Sequence, residues 1–124
     1  MVITREQARN TLVGMRVALG LGSLLAPRLS GRLFGIDPDE NPALPFVARL
    51  FGVRELYMAA PFLLDEGDDL DRLLQRGVPV DAIDAGAAVL ATARGKVRKR
   101  TAVLGGGLAL LAVCLGVYAS QDDD

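Results

Sequence analysis

Apolar residues at helical spacing fill four long stretches of this chain, separated by short polar or Gly/Pro-marked breaks. The first opens at Thr4-Arg5-Glu6-Gln7, a capping box in which the Thr4 hydroxyl and the Gln7 amide cover free N–H groups. A helix runs from there to Pro27. Its first turns carry Arg5, Glu6 and Arg9, and its apolar part covers residues 11–27. One stripe is small at every fourth position, Gly14, Ala18, Gly22 and Ala26, a ridge that lets a second helix approach closely.

Leu29 to Ile36 reads as a short interfacial helix, with Leu33, Phe34 and Ile36 apolar and Arg28 and Arg32 polar. Asp37-Pro38-Asp39-Glu40-Asn41-Pro42 is a turn. A second long helix starts at Pro42 or Pro45 and reaches Glu66, where Gly67 stops it. Asp68 to Gln75 reads as a short surface helix ended by Gly77. Pro79 then opens a third long helix that reaches Arg94. Residues 101–120 form the most apolar stretch, without a charge from Thr101 to Gln121. Crossing hydrocarbon takes about 20 such residues.

The expectation is an all-α, four-helix transmembrane bundle of one domain, with spans at 11–27, 45–64, 79–94 and 101–120 and a short interfacial helix in its loops. Composition fits it. Hydrophobic residues make up 51% of the 124, yet there are four Phe, two Tyr and no Trp, so the apolar content is small and aliphatic. The apolar run after Asn10 is followed by Pro27-Arg28 and not by a cleavage site, and is read as a retained helix. Arg28, Arg32 and the cluster Arg94, Lys96, Arg98, Lys99 and Arg100 fall on one side of a four-span bundle. Asp65, Glu66, Asp68, Asp69, Asp71 and the tail Asp122-Asp123-Asp124 fall on the other, where Arg5, Arg9, Arg72 and Arg76 are the basic residues. The positive-inside rule then gives a multi-pass protein of the bacterial cytoplasmic membrane with both termini outside. The cluster at Arg94 to Arg100 is a topology signal or a contact for anionic lipid headgroups.

Five charges lie inside the expected spans: Arg16 in the first, Arg54 and Glu55 in the second, Asp81 and Asp84 in the third. At a rise of about 1.5 Å per residue, Arg16 lies about 17 Å from Pro27 and Arg54 about 14 Å from Pro45, with Glu55 and Asp84 near 15 Å. Asp81 sits one turn above Asp84 on the same face. Tyr57 is placed to donate its hydroxyl to this layer, and Arg49 to snorkel to the headgroups. One reading is structural: Arg16–Glu55 and Arg54–Asp84 are neutralising pairs that fix register. The other is that Asp81, Glu55 or Asp84 titrates, carrying protons or holding a cation or ligand.

Other chemistry is thin. Net charge is −1, which implies no nucleic-acid partner. With no His and with Cys114 as the only thiol, no zinc site, disulfide or acid–base triad can be built, and no cofactor or metal is expected. Leu104-Gly105-Gly106-Gly107-Leu108 lacks the Lys of a phosphate loop, and Gly20-Leu21-Gly22 is a packing feature.

Gly14-Met15-Arg16 with Pro27, Phe51-Gly52-Val53-Arg54-Glu55-Leu56 and Asp81-Ala82-Ile83-Asp84 together resemble the small four-helix DoxX-like bacterial membrane proteins. The resemblance implies a four-helix membrane fold. Some members of that group are linked to quinone-coupled sulfur oxidation, but this chain has no redox cysteine pair to carry that activity. The functional expectation is a non-catalytic accessory or scaffold subunit of a larger membrane complex, with the bilayer, other membrane subunits or a second copy as partners. The alternative is a small carrier of protons, ions or small molecules that uses the Arg16, Arg54, Glu55, Asp81 and Asp84 layer.

Overall fold

A computed structural model describes residues 2–64, 70–95 and 98–121. These form five helices: α1 (Arg5–Leu25), α2 (Pro27–Leu33), α3 (Leu44–Leu63), α4 (Leu70–Ala93) and α5 (Lys99–Ala119). The acidic turn at 65–69, with its Gly67 stop, and the tail at 122–124 lie outside the described residues, as does Lys96.

Local chemistry sets most boundaries. The Gln7 N–H donates to Thr4 Oγ1 at 3.0 Å and the Thr4 N–H to Gln7 Oε1 at 2.9 Å, closing the capping box of α1. Pro27 takes the first position of α2. Gly35, at φ 82°, lets the chain turn back so that the Ile36 N–H reaches the Gly31 carbonyl at 2.8 Å. The Arg49 Nε–H donates to the Leu24 carbonyl at 3.3 Å, meeting a free acceptor in the last turn of α1.

The break expected at Gly77 and Pro79 is absent: α4 runs unbroken through both. Pro79 cannot donate to the turn before it, but neighbouring helices hold α4 in place. Gly77 is buried, and a Cβ there would stand 3.2 Å from Arg16 Nη2 and 3.3 Å from the Met58 methyl. Its role is to make room for the Arg16 guanidinium, not to end a helix.

The four long helices form a ring in the order α3, α1, α5, α4, while α2 folds under α1 and α3. The closing pair, α3 and α4, barely touch. The α1–α3 crossing is the tightest: a Cβ on Gly52 would lie 2.6 Å from the Gly20 carbonyl oxygen, and one on Gly20 would lie 2.7 Å from Leu56 Cγ. The expected ridge is not what packs. Gly14 and Ala18 are exposed, and a Cβ on Gly14 would meet nothing within 4 Å.

The core occupies the end of the ring that holds the N-terminus of α1. There Ala8, Leu12, Leu74, Ala112, Leu115 and Ala119 are buried together, with Met15, Phe62 and Tyr118 against them. The Tyr118 hydroxyl donates to the Ile3 carbonyl at 2.6 Å and ties the two ends of the chain.

The structure corrects the four-span expectation. Among the described residues, only α5 is long and apolar enough to cross a membrane. α1 is diluted by Asn10, Thr11, Ser23 and three glycines, α3 carries Arg49, Arg54 and Glu55, and α4 carries five charges from Asp71 to Asp84. Each ionised side chain costs about 3 kcal/mol at the centre of hydrocarbon. The multi-pass placement and the outward termini presupposed four spans, and they fall with them. Arg94, Arg98, Lys99 and Arg100 lie on the surface.

Candidate functional site

Asp81 and Asp84 are three residues apart, so α4 presents both on one face. Arg54 and Glu55 are adjacent on α3 and diverge around its axis. Glu55 turns into the ring toward Arg16 of α1, and Arg54 reaches across to α4. The five side chains form one continuous ladder. Arg16 donates from Nη2 to Asp81 Oδ2 at 2.6 Å and from Nη1 to Asp81 Oδ1 at 3.2 Å. The same Nη1 donates to Glu55 Oε2 at 2.8 Å. Arg54 repeats the pattern, with Nη2 to Asp84 Oδ2 at 2.6 Å, Nη1 to Asp84 Oδ1 at 3.3 Å and Nη2 to Glu55 Oε1 at 3.2 Å. Each guanidinium thus forks onto one aspartate, and the two share Glu55 between them.

The ladder has a sealed end and an open end. Arg16, Glu55 and Asp81 are almost wholly buried. The Arg54 and Asp84 side chains are 39% and 31% exposed. Arg54 also lies over the Phe51 ring, 5.0 Å from its centroid. Its Nε is buried with no hydrogen-bond partner, one donor left unspent.

Burial pushes the Asp81 carboxyl above its ordinary value. The Arg16 hydrogen bond and charge pull it down, while Glu55 and Asp84 push it up, and the net direction is upward. Arg16 is pushed down by burial, but its bonds to Asp81 and Glu55 outweigh this and hold it charged.

On the core side of the ladder the ring is filled, and on the other side it is hollow. A cleft of about 700 Å³ runs from the ladder toward α2 and the start of α5. Ser23, Phe34, Leu44, Phe51, Ala88 and Leu108 are among its walls. Below, the loop after α2 closes it, since a Cβ on Gly35 would stand 3.0 Å from Thr101 Oγ1. Its side opening is the seam where α3 and α4 barely touch, and the Arg54–Asp84 pair bridges that seam.

All five expected layer residues stand together in the ladder, and Asp81 joins at the level of Arg16 instead of a turn above the layer. Tyr57 does not take part: it is 80% exposed. One carboxylate oxygen from each of Glu55, Asp81 and Asp84 lies within 4.8 Å of the other two, with Arg16 and Arg54 already serving as their counter-charges. The sequence reading gave Gly77 a different role, named Gly20 as a packing residue without its partner Gly52, and missed the cleft. Small residues form part of its wall, Ala87, Ala88 and Ala91 on α4 and Gly105 on α5, but nothing in their spacing marks a cleft.

Together, fold and site define an all-helical protein with a lateral apolar cleft roofed by a buried arginine–carboxylate ladder. No protein-family model matches the chain, and no curated protein or solved structure matches it either. The likeness to DoxX-like proteins therefore stands on the sequence motifs alone.

Proposed function

We propose that this protein is a non-catalytic carrier for a small, mostly apolar molecule with one polar end. The observation that carries this reading is the hollow half of the ring: an apolar cleft whose roof is charged and whose polar lip, Arg54 and Asp84, is reachable from the side. Its volume of about 700 Å³ lies within the ordinary range for small-molecule pockets. Catalysis is left out of the reading because the sequence has no His and the buried acids are tied to arginines.

The test is binding of a neutral, environment-sensitive dye such as Nile red to the purified chain. Wild type should bind with a blue-shifted emission. Ala48→Phe and Ala91→Phe, which place a ring in the cleft, should weaken binding at least tenfold with helix content unchanged. Undiminished binding in both variants would sink the reading.

A second reading has one observation in its favour. Only 22% of the most apolar 18 residues of α5 is buried, where a core helix would be mostly covered, and Val103, Leu110, Leu111 and Val117 face outward. That face suits an accessory subunit seated by α5 on a larger membrane complex. A stoichiometric partner retained in mild detergent supports this; a solitary homo-oligomer counts against it.

A further inference from the structure

The ladder does not balance. It holds two guanidiniums, Arg16 and Arg54, against three carboxylates, Glu55, Asp81 and Asp84, so with every group ionised it carries one excess negative charge. Among the described residues lining the cleft, nothing on the neighbouring elements cancels it. α2 contributes Ser30 and Gly31 to the cleft, and α5 contributes Thr101, Ala102, Gly105, Leu108, Ala109 and Ala112, none of them titratable. The only charged cleft residue on α1 is Arg16, already counted. An unmatched charge among apolar walls is costly, and the ordinary remedies are a proton or a counter-ion.

We propose that the occupant of the cleft is a lipophilic monocation, such as an alkyl-amine or quaternary ammonium compound, and that it exchanges with a proton held on the carboxylate ladder. This rests on the carrier reading above and names its substrate class. Three features of the geometry converge on it. The cleft takes the apolar body. Asp84, at the open end, is the carboxylate that an incoming cationic head reaches first. The three carboxylates lie close enough, with oxygens within 4.8 Å, for one charge to serve all of them. When the cleft is empty, the proton plays that part, and the upward push of burial on Asp81 is the direction this requires. No covalent change is involved: one cation enters and one proton leaves to solvent. Affinity for a cation therefore rises with pH, by at most tenfold per pH unit while the ladder is protonated, and affinity for a neutral molecule does not.

The experiment displaces bound Nile red with three probes of equal chain length, each below its micelle concentration: decyltrimethylammonium, decanol and decanoate. At pH 8 the cation should compete at a concentration at least tenfold lower than decanol, with decanoate weakest. Lowering the pH to 5 should erase most of the cation's advantage and leave decanol unchanged. Asp84→Asn, which brings the ladder to neutrality, should make cation and alcohol nearly equal. Arg54→Gln, which doubles its excess charge, should widen the gap. Circular dichroism of each variant establishes that it is folded, and the opposed directions of the two changes cannot come from loss of fold. Equal competition by all three probes, a preference for decanoate, or a cation affinity indifferent to pH overturns the inference while leaving the carrier reading in place. Failure of wild type to bind Nile red or any of the three probes overturns both.

Discussion

Replacing Arg16 by methionine is the sharpest test of the ladder. Met keeps much of the apolar stem and removes the guanidinium. Three hydrogen bonds of 2.8, 3.2 and 2.6 Å go with it. Glu55 keeps its 3.2 Å bond from Arg54, but Asp81 loses both bonds to its counter-charge while only 3% exposed. Removing one partner of a buried ion pair costs about 3–5 kcal/mol. Asp81 can escape part of that by taking a proton, so the lower end, about 3 kcal/mol, is expected at neutral pH. A domain of this size has about 5–15 kcal/mol in all. At about 4 °C per kcal/mol, the midpoint of thermal unfolding should fall by roughly 12 °C. Urea and thermal unfolding followed by circular dichroism read this directly. The decisive companion is the triple variant Arg16→Met, Glu55→Met, Asp81→Leu. It removes the sealed end of the ladder and leaves Arg54–Asp84 as a balanced pair. Swapping a whole buried ionic group for apolar side chains is often neutral or better, so the triple should recover to within about 1–2 kcal/mol of wild type. A single variant within about 1 kcal/mol of wild type would refute the reasoning, because that is the scale of an exposed pair.

The open end of the ladder should behave differently: Asp84→Asn should cost about 1 kcal/mol or less in the same urea assay, since water already screens that pair. Gly52→Ala should destabilise by about 1–3 kcal/mol, because its Cβ would meet backbone atoms of Gly20 and Leu24 that cannot rotate away. Gly14→Ala, exposed on α1 with open space around it, should instead stabilise by up to about 1 kcal/mol through helix propensity. Burial holds the Asp81 carboxyl above its ordinary value of 3.8, so the folded chain binds that proton more tightly than the unfolded one. The stability it contributes is whole below pH 3.8 and is lost as pH rises through the raised value. Wild-type stability minus that of Asp81→Asn should therefore shrink as pH climbs from about 4 to about 8, and a growing difference would reverse the sign of the argument.

Much of the site was legible before any coordinates. Counting residues from helix ends put Arg16, Arg54, Glu55 and Asp84 at one level because helical rise is nearly constant, and side-chain reach absorbs the error for Asp81. Helix starts marked by caps, as at Thr4, were equally legible. What failed were inferences that needed the partner helix. Gly77 and Pro79 look like a stop and a start, and only the position of Arg16 against α4 shows why that glycine sits mid-helix. The stripe from Gly14 to Ala26 has ideal spacing, yet the contact falls on Gly20, because the crossing of α1 with α3 is fixed by where Gly52 lies. The four-span expectation failed for a related reason: one apolar helix at 101–120 and a small aliphatic composition do not make spans of the three charged helices beside it. Pairing of Arg16 with Glu55 and Asp81 serves a buried interior whatever surrounds the molecule.

Small residues carry two opposite meanings here, and spacing does not separate them. At Gly20, Gly52 and Gly116 they let helices close on one another, with neighbours 2.6–3.1 Å from where a Cβ would stand. At Ala87, Ala88, Ala91 and Gly105 they line the cleft and leave it room. The ladder marks the change between the two. Above it, Leu12, Leu74 and Leu115 supply the apolar burial that holds the ring together. Below it, the same ring gives up that burial and keeps a cleft. Larger apolar side chains that fit such a space would each add about 0.5–2 kcal/mol of stability. On the carrier reading proposed above, this cleft is the volume a guest would take, and the three carboxylates and two arginines at its roof are the groups its polar end would meet.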